Sequence, residues 1–178
     1  MGQHSKQASL LFFRAIPSIW AARADNNNIR TQSGEVMNQR PIHDGLFSWP
    51  AEDPELLGSR CRNCGEHAFP AQPSCRACSA EDSEIVGMGR RGTLWTWTIQ
   101  SFMPKTPYLT DETPETFRAY GVGYVELENG LRVESRLKEN SVDSLRIGQA
   151  MELEIVPIRT DDSGQQLLTF QFKATEAA

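Results

Sequence analysis

All four cysteines of the chain lie within one short stretch, CRNCGEHAFPAQPSCRAC, as two C-x-x-C pairs, Cys61/Cys64 and Cys75/Cys78. Each pair at that spacing can form a knuckle that presents two sulfurs to a single ion, and the spacer folds the second knuckle over the first. A tetrahedral four-thiolate site is closed, so structural zinc without catalysis at the metal is the expected chemistry. Binding would supply about 10–16 kcal/mol of apparent folding energy to a segment too small to bury a core of its own. Iron in a rubredoxin-like redox site competes for the same ligands. Disulfides compete only if the chain is exported. A thioredoxin-type redox pair requires one C-x-x-C on a βαβ pattern, which this sequence does not have. Gly65 stands where the first knuckle needs positive φ, and the second knuckle carries Ser79 there. Arg60, Arg62 and Arg76 flank the ligands and are expected to offset the negative charge of the site. His67, between the pairs, is read as a surface or packing residue, since four thiolates already satisfy the metal.

Other catalytic signals are thin. The sequence holds no Gly-rich phosphate loop, no H-E-x-x-H and no G-x-S-x-G. Glu126, Glu128, Glu134, Glu152 and Glu154 fall on strand faces expected to be solvated, and no nucleophile–base pair emerges. The residues expected to meet a ligand or partner are aromatic and cationic: Arg90, Arg91, Trp95, Trp97, Phe117, Arg118 and Tyr120. Trp95 and Trp97 are expected on one face of their strand, by strict alternation.

The elements that must position these groups are mostly strands. Residues 37–58 form a lead-in with a possible helical turn at Pro54–Leu57, capped by Asp53. Residues 59–87 form the metal ribbon. In residues 88–175, RRGTLWTWTIQ reads as a first strand, and the Pro-rich segment Ser101–Arg118 as a long loop. AYGVGYVEL and LRVESRL flank Asn129-Gly130, a strong hairpin signal. SVDSLRIG predicts a one- to two-turn helix between Ser141 and Gly148, and two further strands follow. Five strands with a helix between the third and fourth is the order of an OB-fold barrel. The expected fold class is therefore mainly β, a small zinc ribbon followed by a five-stranded OB-fold barrel.

Residues 1–36 stand apart. MGQHSKQASLLFFRAIPSIWAARA is free of acids, but Arg14 and Pro17 break its apolar run, which is poor for a secretory signal. The segment is read as a disordered tail or a mis-assigned start, with a genuine targeting signal as the alternative. No run of eighteen apolar residues exists, so no membrane span is expected and the cytoplasm is the expected location. The formal net charge is −5, which argues against a nucleic-acid footprint.

Taken in order, LLGSRCRNCGEHAFPAQPSCRAC, RRGTLWTWTI, YGVGYVELENGLRVESRL, LRIGQAMELEIVPI and LLTFQFKA resemble the zinc-ribbon plus OB-fold family associated with acyl-CoA metabolism. The resemblance covers about Leu56 to Ala174. It implies a rubredoxin-like ribbon with Cys61, Cys64, Cys75 and Cys78 as metal ligands, followed by an OB fold. It also implies a non-catalytic accessory subunit that binds a thiolase-superfamily enzyme (a thiolase, or a lipid-transfer-protein-like thiolase or aldolase) and helps hold acyl-CoA in lipid metabolism. Members often begin with an N-terminal helical hairpin, and here Pro50 and Pro54 interrupt any long helix.

Two other functions fit parts of the sequence. Zinc ribbons and OB folds both bind nucleic acids, and Trp95 and Trp97 would stack bases. Acidic residues outnumber basic ones over residues 88–178, however, so phosphate would be repelled. A stand-alone enzyme acting on CoA thioesters would need a nucleophile or base beyond those identified.

Overall fold

The computed structural model describes residues 38–108 and 110–175. The expectation for residues 1–36 lies outside the described residues. Nine strands follow in order: β1 Gln39–Pro41, β2 Leu57–Cys61, β3 His67–Ala68, β4 Ser83–Gly87, β5 Arg91–Gln100, β6 Tyr120–Leu127, β7 Arg132–Leu137, β8 Ala150–Thr160 and β9 Gln166–Ala174. They form two sheets. The ribbon is a three-stranded antiparallel sheet of order β3-β2-β4. The barrel runs β9-β7-β6-β5-β8 and closes through a β8–β9 pairing, with β1 added parallel to β9. Its first three strands form a meander and its third and fifth pair in parallel, giving a zinc ribbon followed by a five-stranded OB-fold barrel.

The alternating pattern of the sequence places the core. On β6, Gly121, Gly123, Val125 and Leu127 face inward, whereas Tyr120, Val122, Tyr124 and Glu126 face out. The two glycines of the YGVGY stretch are required by close approach. A Cβ on Gly121 would lie 2.5 Å from the Glu139 carbonyl oxygen, and one on Gly123 would lie 2.6 Å from that of Thr96. The core joins Leu94, Val125, Val133, Leu137, Met151, Leu153 and Phe172 of the barrel to Phe47, Leu56 and Met88, which flank the ribbon.

Three local expectations are corrected. Residues 141–148 form turns and no helix. Gly148 N–H donates to the Leu94 carbonyl and Leu94 N–H donates to the Gln149 carbonyl, so the end of the segment is held by β5, while Ser144 N–H closes a local turn onto the Ser141 carbonyl. Leu145 is buried at this connection. Residues 54–57 form no helical turn either. Leu56 bridges Phe47 in antiparallel fashion, and Ser48 N–H donates to the Glu55 carbonyl, so the lead-in folds back on itself as a short antiparallel β-bridge. The hairpin at Asn129-Gly130 is closed by a turn in which only Gly130 has positive φ, with Leu131 N–H donating to Asn129 Oδ1.

The third correction concerns β5. A bulge between Leu94 and Thr96 shifts the register, so that Leu94 faces Val125 while Thr96 faces Tyr124. The extra residue reverses the alternation. Leu94 is buried, Trp95 turns outward at 45% exposure, and Trp97 packs against the core. Trp95 and Trp97 therefore do not share a face.

Candidate functional site

The four cysteines come together at the tip of the ribbon. Cys61 ends β2, and Cys64, Cys75 and Cys78 lie in the loops that join the ribbon strands. The two knuckles repeat one backbone design. Gly65 N–H donates to the Cys61 carbonyl, and Ser79 N–H donates to the Cys75 carbonyl, each at 2.9 Å. Cys61 N–H donates to the Glu66 carbonyl, and Cys75 N–H donates to the Ala80 carbonyl. Both bends need a left-handed residue: Gly65 has φ 78° and Ser79 has φ 60°.

The four Sγ atoms lie within 4.8 Å of one another. The Cys61–Cys78 pair is separated by 3.7 Å and the Cys64–Cys75 pair by 3.5 Å. A tetrahedron with metal–sulfur bonds of about 2.3 Å has edges of about 3.8 Å, whereas a disulfide would bring sulfurs to about 2.05 Å. The donor set thus fits a tetrahedral thiolate-bound metal. The Cys78 thiol pKa is drawn down to about 6, first by the Asn63 side-chain amide and then by the Ala80 backbone. At Cys64 the Glu66 backbone favours the thiolate, but hydrogen bonds with Cys78 and Cys75 prevail and push it up to about 12. A divalent cation would relieve that conflict.

The surroundings differ from expectation in one respect. Arg60 and Arg62 do not turn their charge to the sulfurs: Arg60 pairs with Glu84, and Arg62 with Asp82 and Glu84. Arg76 has no carboxylate partner among the described residues. His67 is outside the sulfur cluster and lines a small crevice between the ribbon and the β6–β7 hairpin.

A second feature occupies the outward face of β6 and β7, the strands on which OB folds carry ligands. Cross-strand pairs Glu126/Arg132, Tyr124/Glu134 and Val122/Arg136 form a ladder there. At its upper end lies Trp95, with the Arg132 guanidinium 4.0 Å above its ring and Tyr124 edge-on. At its lower end an open cleft of about 330 Å³ is lined by Tyr108, Tyr120, Arg136, Glu134 and Phe170. The Arg136 guanidinium lies 4.1 Å above the Tyr120 ring, and Phe117 meets that ring edge-on. Tyr108, from the loop between β5 and β6, lies nearly parallel to Tyr120, at an interplanar angle of 11° and a centroid distance of 6.3 Å. Burial pushes the Tyr120 phenol up to about 12, so it stays protonated at neutral pH. The loop is tied down beyond Tyr108 by Thr160 N–H, which donates to an Asp111 carboxylate oxygen at 3.0 Å.

The expected contact residues thus separate. Tyr120 lines the cleft, and Phe117 packs edge-on against it. Trp95 is on the same outer face but in the other cluster, and Trp97 belongs to the core. Arg90 holds the lead-in, donating to the Pro54 carbonyl and pairing with Asp53. Arg91 is exposed beside Glu152, and Arg118 donates to the carbonyls of Thr116 and Phe117. Tyr108 and Arg136 were not singled out from the sequence. The available signal was parity: Arg136 shares an outward face with Arg132 and Glu134, and its register partner on β6 is two residues from Tyr120.

Comparison with known proteins agrees with this geometry. Residues 48–84 match the rubredoxin-like zinc ribbon domain of ChsH2, and residues 86–156 match the C-terminal OB-fold domain of ChsH2. The benzoylsuccinyl-CoA thiolase subunit BbsA of Thauera aromatica is 31% identical over 137 residues, 74% of this chain and 86% of that protein. A DUF35 domain-containing scaffold protein of Methanothermobacter thermautotrophicus is 33% identical over 124 residues, 66% of this chain and 85% of the relative. The solved Ltp2-ChsH2(DUF35) aldolase shares the fold, with a TM-score of 0.51 at 24% identity over 67% of this chain and 84% of that one. With both halves of its architecture matched in sequence and in backbone, the chain belongs to the ChsH2 family of rubredoxin-like zinc ribbon and OB-fold proteins.

Proposed function

We propose that this chain is a non-catalytic partner subunit of a thiolase-superfamily enzyme, contributing to acyl-CoA binding and to assembly of the complex in the cytoplasm. The observation that carries the reading is the match to BbsA, a protein named as a thiolase subunit, over 86% of that relative's length. In this reading the four thiolates of Cys61, Cys64, Cys75 and Cys78 hold structural zinc, which supplies folding energy and leaves no open coordination position. The reacting nucleophile belongs to the partner. This chain supplies a docking shape and, through the loop between β5 and β6 and residues such as Phe117 and Tyr120, a wall near the ligand.

The test is affinity capture of the tagged full chain from its native cells, with co-purifying proteins identified by mass spectrometry. A stoichiometric thiolase-superfamily partner is the expected result, lost together with bound metal in Cys61→Ser. Recovery of the chain alone, or with nucleic acid, would overturn the reading, as would thioester turnover by the purified chain.

A further inference from the structure

We propose that the cleft beneath Tyr108 is a binding site for a small carboxylate that carries an aromatic ring. This inference does not depend on the identity of any partner.

The opening is built into the barrel. β7 and β9 pair at a single position, Leu137 with Phe172, so the strands diverge before it, and Ser135 and Arg136 face Thr169 and Phe170 across a gap. The walls of this gap are aromatic. Tyr120 and Phe170 belong to the barrel, and Tyr108 is laid over from the tethered loop. Such walls favour a planar ring in stacked or edge-on contact.

The charge of the ligand follows from Arg136. On the same strand face, Arg132 pairs with Glu126 at 2.8 Å, and Lys138, at the end of the strand, pairs with Glu154 at 3.1 Å. Arg136 has no carboxylate partner among the described residues, and the one hydrogen bond its side chain makes among them is Nη1 to the Tyr108 hydroxyl at 3.5 Å. It is half-buried, with one side on the Tyr120 ring and most of its donors unused. A guanidinium in that setting is matched by a planar anion that accepts two parallel hydrogen bonds. Glu134 narrows the class. Its carboxylate lines the same cleft and accepts from the Tyr124 hydroxyl at 3.0 Å, so a dianionic phosphate meets more repulsion than a carboxylate. The volume of about 330 Å³ is at the small end for ligand sites and suits one ring.

The experiment is an NMR titration of the full chain with phenylacetate, using benzyl alcohol as the uncharged ring and acetate as the ringless anion. Phenylacetate should shift the Arg136 side-chain and Tyr108 and Tyr120 ring resonances saturably, with an affinity of about millimolar for so small a ligand. Benzyl alcohol, acetate and Arg136→Gln should each weaken binding about tenfold. Arg146→Gln, on the connection before β8 and outside the cleft, should leave it unchanged. Tyr108→Leu gives a second variant should Arg136→Gln disturb the fold, and it should weaken phenylacetate more than acetate. The proposal is overturned if phenylacetate causes no saturable shift, if benzyl alcohol binds as tightly, or if affinity survives in both cleft variants.

Discussion

At the scale of single residues, the metal knuckles show what their backbone demands. Ser79 takes a left-handed φ of 60° where Gly65 takes 78° in the other knuckle, and it is the only non-glycine residue with positive φ among those described. For an L-residue this conformation costs roughly 1–2 kcal/mol. Ser79→Gly should therefore stabilise the metal-loaded protein by about 1 kcal/mol, seen as a rise of a few degrees in melting temperature. An unchanged or lower value would mean that the serine side chain compensates for its backbone. The cysteine spacing and the glycine requirement were legible in the sequence because a knuckle is a local structure set by neighbours in the chain. The placement of Trp95 was not legible. One inserted residue at the β5 bulge reverses alternation, and a bulge arises from the paired strand rather than from its own sequence. Arg136 was missed for a related reason: its lack of a counter-charge becomes visible only when Glu126 and Glu154 are seen to serve its neighbours.

At the scale of elements, the strands were legible and their connections less so. The Ser141–Gly148 segment carries helix-capping signals, but its end is drawn to β5 through Gly148 N–H and the Leu94 carbonyl, a tertiary choice that local propensity cannot reveal. The β8–β9 turn is more self-contained. An Asp161 side-chain oxygen accepts from the Ser163 hydroxyl and from the N–H groups of Ser163 and Gln165, while the other pairs with Arg40 of β1. These contacts hold its carboxyl down to about 2, the Ser163 hydroxyl contributing most. A carboxyl depressed in the folded state stabilises above its unfolded value of about 3.9, and that contribution is lost as pH falls towards 2. The Ser163 and Gln165 amide resonances should therefore titrate with a midpoint near 2, with β1 fraying from β9 over the same range. Asp161→Asn should flatten the titration, and a midpoint near 4 in the parent would refute the assignment.

At the scale of the whole molecule, ribbon and barrel share apolar contacts. Phe69 and Val86 of the ribbon pack against the buried cluster that joins Phe47, Leu56 and Met88, at its borders, to Leu94 and Phe172. Stripping the metal with a chelator removes about 10–16 kcal/mol of apparent binding energy from the ribbon. The loss should lower the calorimetric melting of ribbon and barrel together, in one transition. A separate low-temperature ribbon transition, with the barrel transition unmoved, would contradict that coupling. The shared core also bears on how such a chain can be rearranged by recombination. A cut between β4 and β5 would divide the hydrophobic interior itself, leaving Leu56 and Met88 without their barrel neighbours. Ribbon and barrel should therefore be exchanged between relatives as one inherited block, and chimaeras joined at that border should need matched residues at 47, 56 and 88 to fold.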